Sequence, residues 1–163
     1  MNLTVMSQNA QVGAVQDGRW EGLVSIVHDV SPDLLLLQEV DWLALPSAAD
    51  AARAALGMDL FMAPSRMFNT AIAWRPQTLE LQDTDTRYST TDLHHGYALG
   101  LFRPLGVTAE WPAPLTAIST HLTPFSVEAA GQEAQILVNR AWRYGGIAVS
   151  GVPAGSFEAV LAA

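Results

Sequence analysis

Asn9, Glu39 and His121 each stand where a short apolar run meets a polar residue: LTVMSQN ends at Asn9, DLLLLQE at Glu39 and PLTAISTH at His121. A polar side chain at the tip of a strand projects past a rigid sheet, where a substrate can reach it. Together these types suit phosphoester chemistry. A carboxylate at the end of a buried strand is costly to desolvate unless it is paired or bound to a cation, and a hard divalent cation takes carboxylate oxygens while keeping several waters. An amide both donates and accepts without adding charge. An imidazole can stabilise developing charge on a phosphate or protonate a leaving oxygen near neutral pH. Each residue also has a plainer reading: Glu39 reaching solvent, Asn9 forming a turn, His121 capping its strand.

Other polar groups carry less. His94-His95 follows Asp92 in a polar stretch, and adjacent side chains point apart in an extended chain, so a shared ion there lacks a third ligand. Asp83 and Asp85 fit one face of a strand at a solvated edge. Trp20, Trp42, Trp74, Trp111 and Trp142 are spread out, as packing residues are.

The elements that must position these groups follow from pattern. Residues 3–9 alternate as a strand does. Gly13 and Gly18 break the chain, and Asp17 opens a helix with Trp20, Leu23, Val24, Val27 and Val30 on one face, ended by Ser31-Pro32. Residues 33–38 are continuously apolar, the pattern of a strand covered on both sides. Ser47 with Asp50 predicts the cap of an Ala-rich helix ending at Gly57. Residues 58–63, 70–75 and 78–83 predict neighbouring strands, with Arg75-Pro76-Gln77 turning between the last two. Residues 84–97 read as a loop, and 98–110 and 114–121 as a strand pair around Pro112. A helix over 126–143 aligns Ala130, Ala134, Leu137, Val138 and Ala141, and Gly145-Gly146 stops it. Residues 147–149 begin a last strand. The order implies a mixed α/β layered domain, mainly antiparallel, with helices outside.

Composition bounds the function. The chain has 163 residues, 50% hydrophobic and 15% charged, enough for one domain with a real core and too apolar for disorder. Cysteine is absent, which excludes disulfides and thiolate-bound zinc. The net charge is −8 and all eight cations are arginine, so a broad basic face for nucleic acid is not expected. No apolar run is long enough for a membrane span, and the start lacks a basic segment before an apolar one. The expectation is a cytoplasmic protein without membrane association.

LTVMSQNA, SPDLLLLQEV, FNTAIAWRP and LTAISTHLTPFS, with the helix EAAGQEAQILVNRAW, together resemble the endonuclease/exonuclease/phosphatase superfamily, whose members include DNase I-like nucleases. The resemblance implies a DNase I-like layered α/β sandwich that hydrolyses phosphoesters with Mg2+ or Mn2+. Glu39 would be the metal ligand, Asn9 would support metal and phosphate, and His121 would contact the scissile phosphate or assist the leaving group. Asn69 falls near a polar site position of that family. The substrate would be a nucleic acid or a small phosphoester.

The chain departs from that pattern at its end. The family continues into Gly-Asp-x-Asn and closes on Ser-Asp-His, whereas GGIAVSG here runs into Val152-Pro153-Ala154. The expectation is therefore a partial domain over 1–150, incomplete at the C-terminus, followed by an atypical tail over 151–163, by truncation or frameshift. Missing strands would leave an unpaired sheet edge for self-association. Unaided activity is then in question, since losing acid–base assistance alone costs ~10²–10⁴ in rate. A non-catalytic remnant or interaction module that keeps the scaffold is the alternative, and an unrelated α/β domain is a third.

Overall fold

A computed structural model describes residues 3–12, 18–85, 93–106, 114–143, 147–151 and 161–162. Among the expectations above, those on Gly13, Asp17, Asp92, Trp111, Pro112, Gly145-Gly146 and Val152-Pro153-Ala154 fall outside the described residues. The elements are β1 (Val5–Asn9), α1 (Arg19–Val30), β2 (Leu34–Gln38), α2 (Pro46–Leu56), β3 (Asp59–Ala63), β4 (Thr70–Trp74), β5 (Leu79–Asp85), β6 (Tyr97–Pro104), β7 (Leu115–Thr120), α3 (Val127–Arg143), β8 (Ile147–Gly151) and β9 (Leu161–Ala162).

They form two sheets, ordered β1-β2-β4-β3 and β5-β6-β7-β8-β9. Each carries one parallel pair, β1 with β2 and β7 with β8, and the other pairs are antiparallel. Three apolar clusters separate four layers. Leu35, Leu37, Ala71 and Ala73 pack under Leu23 and Val27 of α1 and Ala52 and Leu56 of α2. Leu34, Leu36, Ile72 and Trp74 meet Ala98, Phe102, Leu115 and Ala117 between the sheets. Tyr97, Leu99 and Ile118 lie under Ala130, Leu137 and Ala141 of α3. The run of leucines in β2 is thus explained: alternate residues fill two different cores, and all four are essentially inaccessible. Each contributes about 2 kcal/mol by area removed from water, an upper bound. Gly100 leaves room for the Phe102 ring, which an added Cβ would meet at 2.5 Å.

Local expectations need several corrections. Ser47 caps nothing: α2 begins at Pro46, whose missing N–H and fixed φ suit the first helical position. Gly57 does close α2 in the left-handed conformation, its N–H reaching the Arg53 carbonyl at 2.9 Å. The Arg75-Pro76-Gln77 turn does not join neighbouring strands, because β4 and β5 belong to different sheets. Arg75 is held at that crossing by bonds to the Pro32 carbonyl and Ser31 hydroxyl. Val30 is exposed although Val27, one turn earlier, is fully buried: the helix closes at Ser31 with its final residue off the packed face. The stretch 84–97 is not all loop: β5 runs to Asp85, and Leu93, His95 and Tyr97 are buried. Asp85 is no merely solvated edge residue, because it accepts the Tyr97 hydroxyl at 2.7 Å while Arg140 donates to the same oxygen at 2.6 Å. Burial, then the Asp85 carboxylate, push the Tyr97 phenol up to about 12. Leu161–Ala162 pairs with β8, so that part of the tail extends the second sheet.

Candidate functional site

Register brings the strand ends together. β1 and β2 are parallel with Asn9 opposite Gln38, so Asn9 and Glu39 leave their sheet at the same end. β4 runs antiparallel to β2 and starts at Thr70, which puts Phe68 and Asn69 at that end too. In the second sheet Tyr97 pairs with Thr120, so the residues before β6 and after β7, His94-His95 and His121, share one edge. The two edges face each other, because Gln38 and Ser119 touch across the sheets.

At this mouth the Asn9 amide donates to Glu39 Oε1 at 2.8 Å, and the Val12 N–H donates to Glu39 Oε2 at 2.8 Å. Asn9 Oδ1 accepts the Gln11 N–H at 2.7 Å, which fixes which way the amide faces. His121 Nδ1 lies 3.7 Å from Glu39 Oε1, with both side chains about seven-eighths buried. That separation is too long for a hydrogen bond, and Nδ1 is a buried polar atom without a partner. Asn9, Glu39 and His121 therefore converge. Asn69 sits alongside, but its Oδ1 accepts the Ser65 N–H at 2.7 Å. Its N–H reaches Asp41 Oδ1 at 2.9 Å and its carbonyl accepts the Val40 N–H at 3.0 Å. Asn69 braces the segment after Glu39.

Sequence reasoning missed an imidazole and aromatic wall. The rings of His94 and His95 are 4.4 Å apart edge to face, contrary to the expectation that adjacent histidines diverge, because this segment is bent and not extended. His95 in turn lies 4.8 Å from His121, and Phe68 lies 5.2 and 5.3 Å from the two rings. Glu133 of α3, nearly buried, accepts the His94 N–H and, at 2.7 Å, the Thr123 N–H, tying both histidine segments to one helix.

The Met67 carbonyl 3.0 Å from His95 Nδ1 can only accept, so that nitrogen is assigned the proton. Burial, with His121 and His94 beside it, lowers His95 from 6.5 to about 4, against the Met67 carbonyl and Glu39, which raise it. Burial also lowers His121 below 6.5, against Glu39 and Glu133. The unfolded chain binds a proton at position 95 that the folded chain refuses, so folding stability falls as pH drops from about 6.5 to about 4. We expect His95→Gln to flatten that part of the pH–stability curve; melting temperatures at pH 7 and pH 5 check it.

Backbone strain gathers here as well. Among the described residues the non-glycine residues with positive φ are Gln11, Val12, Ser31, Glu39 and Phe68, and four of the five line this mouth. Val12, at φ 60°, is β-branched in a region that costs roughly 1–3 kcal/mol. Val12→Asn keeps the N–H on Glu39 and tolerates the left-handed region. It should raise stability by about 1 kcal/mol, read as a higher urea midpoint.

Among the described residues no three His, Cys, Asp or Glu side chains are arranged to hold a metal ion. A largely hydrated Mg2+ or Mn2+ held through one carboxylate does fit. Each Glu39 oxygen has a single donor and keeps a further lone pair.

No family model and no curated protein sequence matches the chain. Solved structures do. A humanized D. rerio TDP2 is 16% identical, with TM-score 0.67 over 94% of this chain and 68% of that one. An endonuclease/exonuclease/phosphatase family protein from Bacteroides thetaiotaomicron is 14% identical, with TM-score 0.69 over 91% of this chain and 60% of that one. ANGEL2, a 2′,3′-cyclic phosphatase, is 15% identical, with TM-score 0.67 over 91% and 52%. The chain thus spans between about half and two thirds of these proteins. Two facing sheets between helices, with strand ends from both gathered at one mouth, are the DNase I-like fold of the endonuclease/exonuclease/phosphatase proteins, and this chain carries it.

Proposed function

We propose that the chain is a divalent-metal-dependent phosphoester hydrolase domain of nuclease or phosphatase type. The observation that carries this reading is the convergence of the Glu39 carboxylate, the Asn9 amide and the His121 imidazole at one strained mouth. Burial holds the imidazoles toward neutral, so they do little to offset Glu39 and an arriving phosphate, which repel each other. Bound Mg2+ or Mn2+ would supply the missing positive charge and polarise a phosphoryl oxygen. The roles left to the chain's own groups are those the family resemblance implies, and their convergence supports them. Glu39 would hold the cation through the oxygen lone pairs its two donors leave free. Asn9 orients that carboxylate through one amide N–H, and the second N–H of the same group can donate to a phosphate oxygen. His121, without a partner on Nδ1, contacts the scissile phosphate or, where the arriving anion draws a proton onto its ring, protonates the leaving oxygen. Asn69 keeps the segment after Glu39 in place.

Neighbours of this fold support the substrate class: one structure is D. rerio TDP2 with a single-strand DNA product, another a 2′,3′-cyclic phosphatase with adenosine-2′,3′-vanadate. No helix among the described residues is long and apolar enough to cross a membrane, and a cytoplasmic location belongs to the same reading. So does self-pairing through β1, an outer strand of its sheet. The test is hydrolysis of bis-p-nitrophenyl phosphate and plasmid DNA with Mg2+ and with a chelator, alongside calorimetric titration of Mg2+. Hydrolysis that survives the chelator would sink the reading. A non-catalytic module on the same scaffold is the second reading. Mg2+ that neither binds nor activates would establish it.

A further inference from the structure

Behind Glu39 and His121 the apolar layer between the sheets gives way to polar residues. Gln38 and Ser119 are both fully buried. Gln38 Nε2 donates to Ser119 Oγ at 3.1 Å and to the Leu36 carbonyl at 3.2 Å, with Ser7 Oγ at 3.4 Å. Ser119 Oγ, having accepted from Gln38, donates to the Leu37 carbonyl at 2.7 Å. The donor directions are mutually consistent: a carbonyl can only accept, so the Leu37 and Leu36 oxygens assign the Ser119 proton and the Gln38 nitrogen.

Gln38 immediately precedes Glu39, and Ser119 stands two residues before His121. Among the described residues no ladder hydrogen bond joins the two sheets, which belong to separate hydrogen-bonded sets. The contacts between them further back, such as Leu36 and Ile72 against Leu115 and Ala117, are apolar. Apolar packing resists separation but has no directional preference against a small slide or rotation. A slide at this end would change the distance between Glu39, carried by the first sheet, and His121, carried by the second. Hydrogen bonds in a buried setting are directional and costly to leave unmade. An apolar pair here would fill the space at no desolvation cost, and Gln38 Oε1 is left without a partner in the arrangement actually present.

We propose that Gln38 and Ser119 form an inter-sheet clamp that sets the separation of Glu39 and His121. Both are positioning residues, since neither touches the reacting groups. The clamp rests on the reading of Glu39 and His121 as a working pair, but its test does not need activity.

The experiment compares crystal structures of the wild-type chain, Ser119→Ala, Ser119→Thr and Gln38→Met, each with its melting temperature. In Ser119→Ala and Gln38→Met the Glu39–His121 separation should open by about 1 Å or more, or the two side chains should take several conformers. Ser119→Thr keeps the hydroxyl and should keep the wild-type separation. Gln38→Met preserves volume and carries the same test if Ser119→Ala does not fold. A separation that stays within coordinate error of wild type in the folded clamp variants overturns the proposal. Kinetics run in parallel. Ser119→Ala should lower kcat about tenfold on bis-p-nitrophenyl phosphate, with KM within twofold and partial recovery in Ser119→Thr, the range for loss of a supporting contact. A fall in melting temperature with kcat unchanged would reduce the pair to a structural bond and overturn the clamp. A wild-type chain without metal-dependent hydrolysis overturns the proposed function instead, and the structures still decide the clamp.

Discussion

Glu39→Gln should lower metal-dependent phosphodiester hydrolysis on the order of a thousandfold, the scale on which charge stabilisation at a reacting phosphate acts. The substitution preserves shape, so the loss reports charge. In the native arrangement each Glu39 oxygen accepts one N–H, from Asn9 and from Val12. A glutamine can still accept at one oxygen, but its NH2 group faces a donor at the other, so we also expect a cost of about 1–2 kcal/mol in stability. The two effects separate by measurement. Calorimetric titration should show Mg2+ binding abolished at a temperature where circular dichroism shows the chain folded. Retained Mg2+ affinity with retained turnover would remove Glu39 from the reaction.

His121→Leu should produce a different signature. Turnover falls by ~10²–10⁴, the range for losing acid–base assistance, while the melting temperature holds or rises. The asymmetry follows from the structure: His121 Nδ1 is buried without a hydrogen-bond partner, 3.7 Å from Glu39 Oε1. A buried unsatisfied nitrogen costs stability, so an apolar side chain of similar size relieves that cost. A fold that keeps a group against its own stability is keeping it for something else. Single-turnover rates and thermal melts on the same preparation check the pair of outcomes. Unchanged turnover in His121→Leu would exclude the imidazole from the chemistry.

Much of this arrangement was legible in the sequence, and the residues show why. The leucine run before Gln38-Glu39 read as a doubly covered strand because a strand buried on both faces has no polar alternation to display. The polar residues at three strand ends predicted one mouth, and the structure places Asn9, Glu39 and His121 there. What failed needed pairing information that no single segment holds. Arg75-Pro76-Gln77 has the composition of a hairpin turn, yet the strands around it part into separate sheets, a choice made by which face each must bury. His94 and His95 were set aside as a divergent pair in a loop. Their place beside His121 follows only from the register of β6 against β7, which sets Tyr97 opposite Thr120. The sequence pairs 98–110 with 114–121 but sets no register between them. Ser47 looked like a cap by type and spacing, but Pro46 next to it started the helix first.

Each sheet is drawn from its own part of the chain: strands between residues 5 and 74 supply the first, and strands between 79 and 162 supply the second. During synthesis the first sheet is therefore fully made while Leu34, Leu36, Ile72 and Trp74 still have nothing to lie against. The nascent half shows a greasy underside to the cell for as long as the ribosome takes to deliver the rest, at roughly 5–20 residues per second. Glu39 waits through that interval without His121, so whatever chemistry the mouth performs begins only when the late half settles onto the early one.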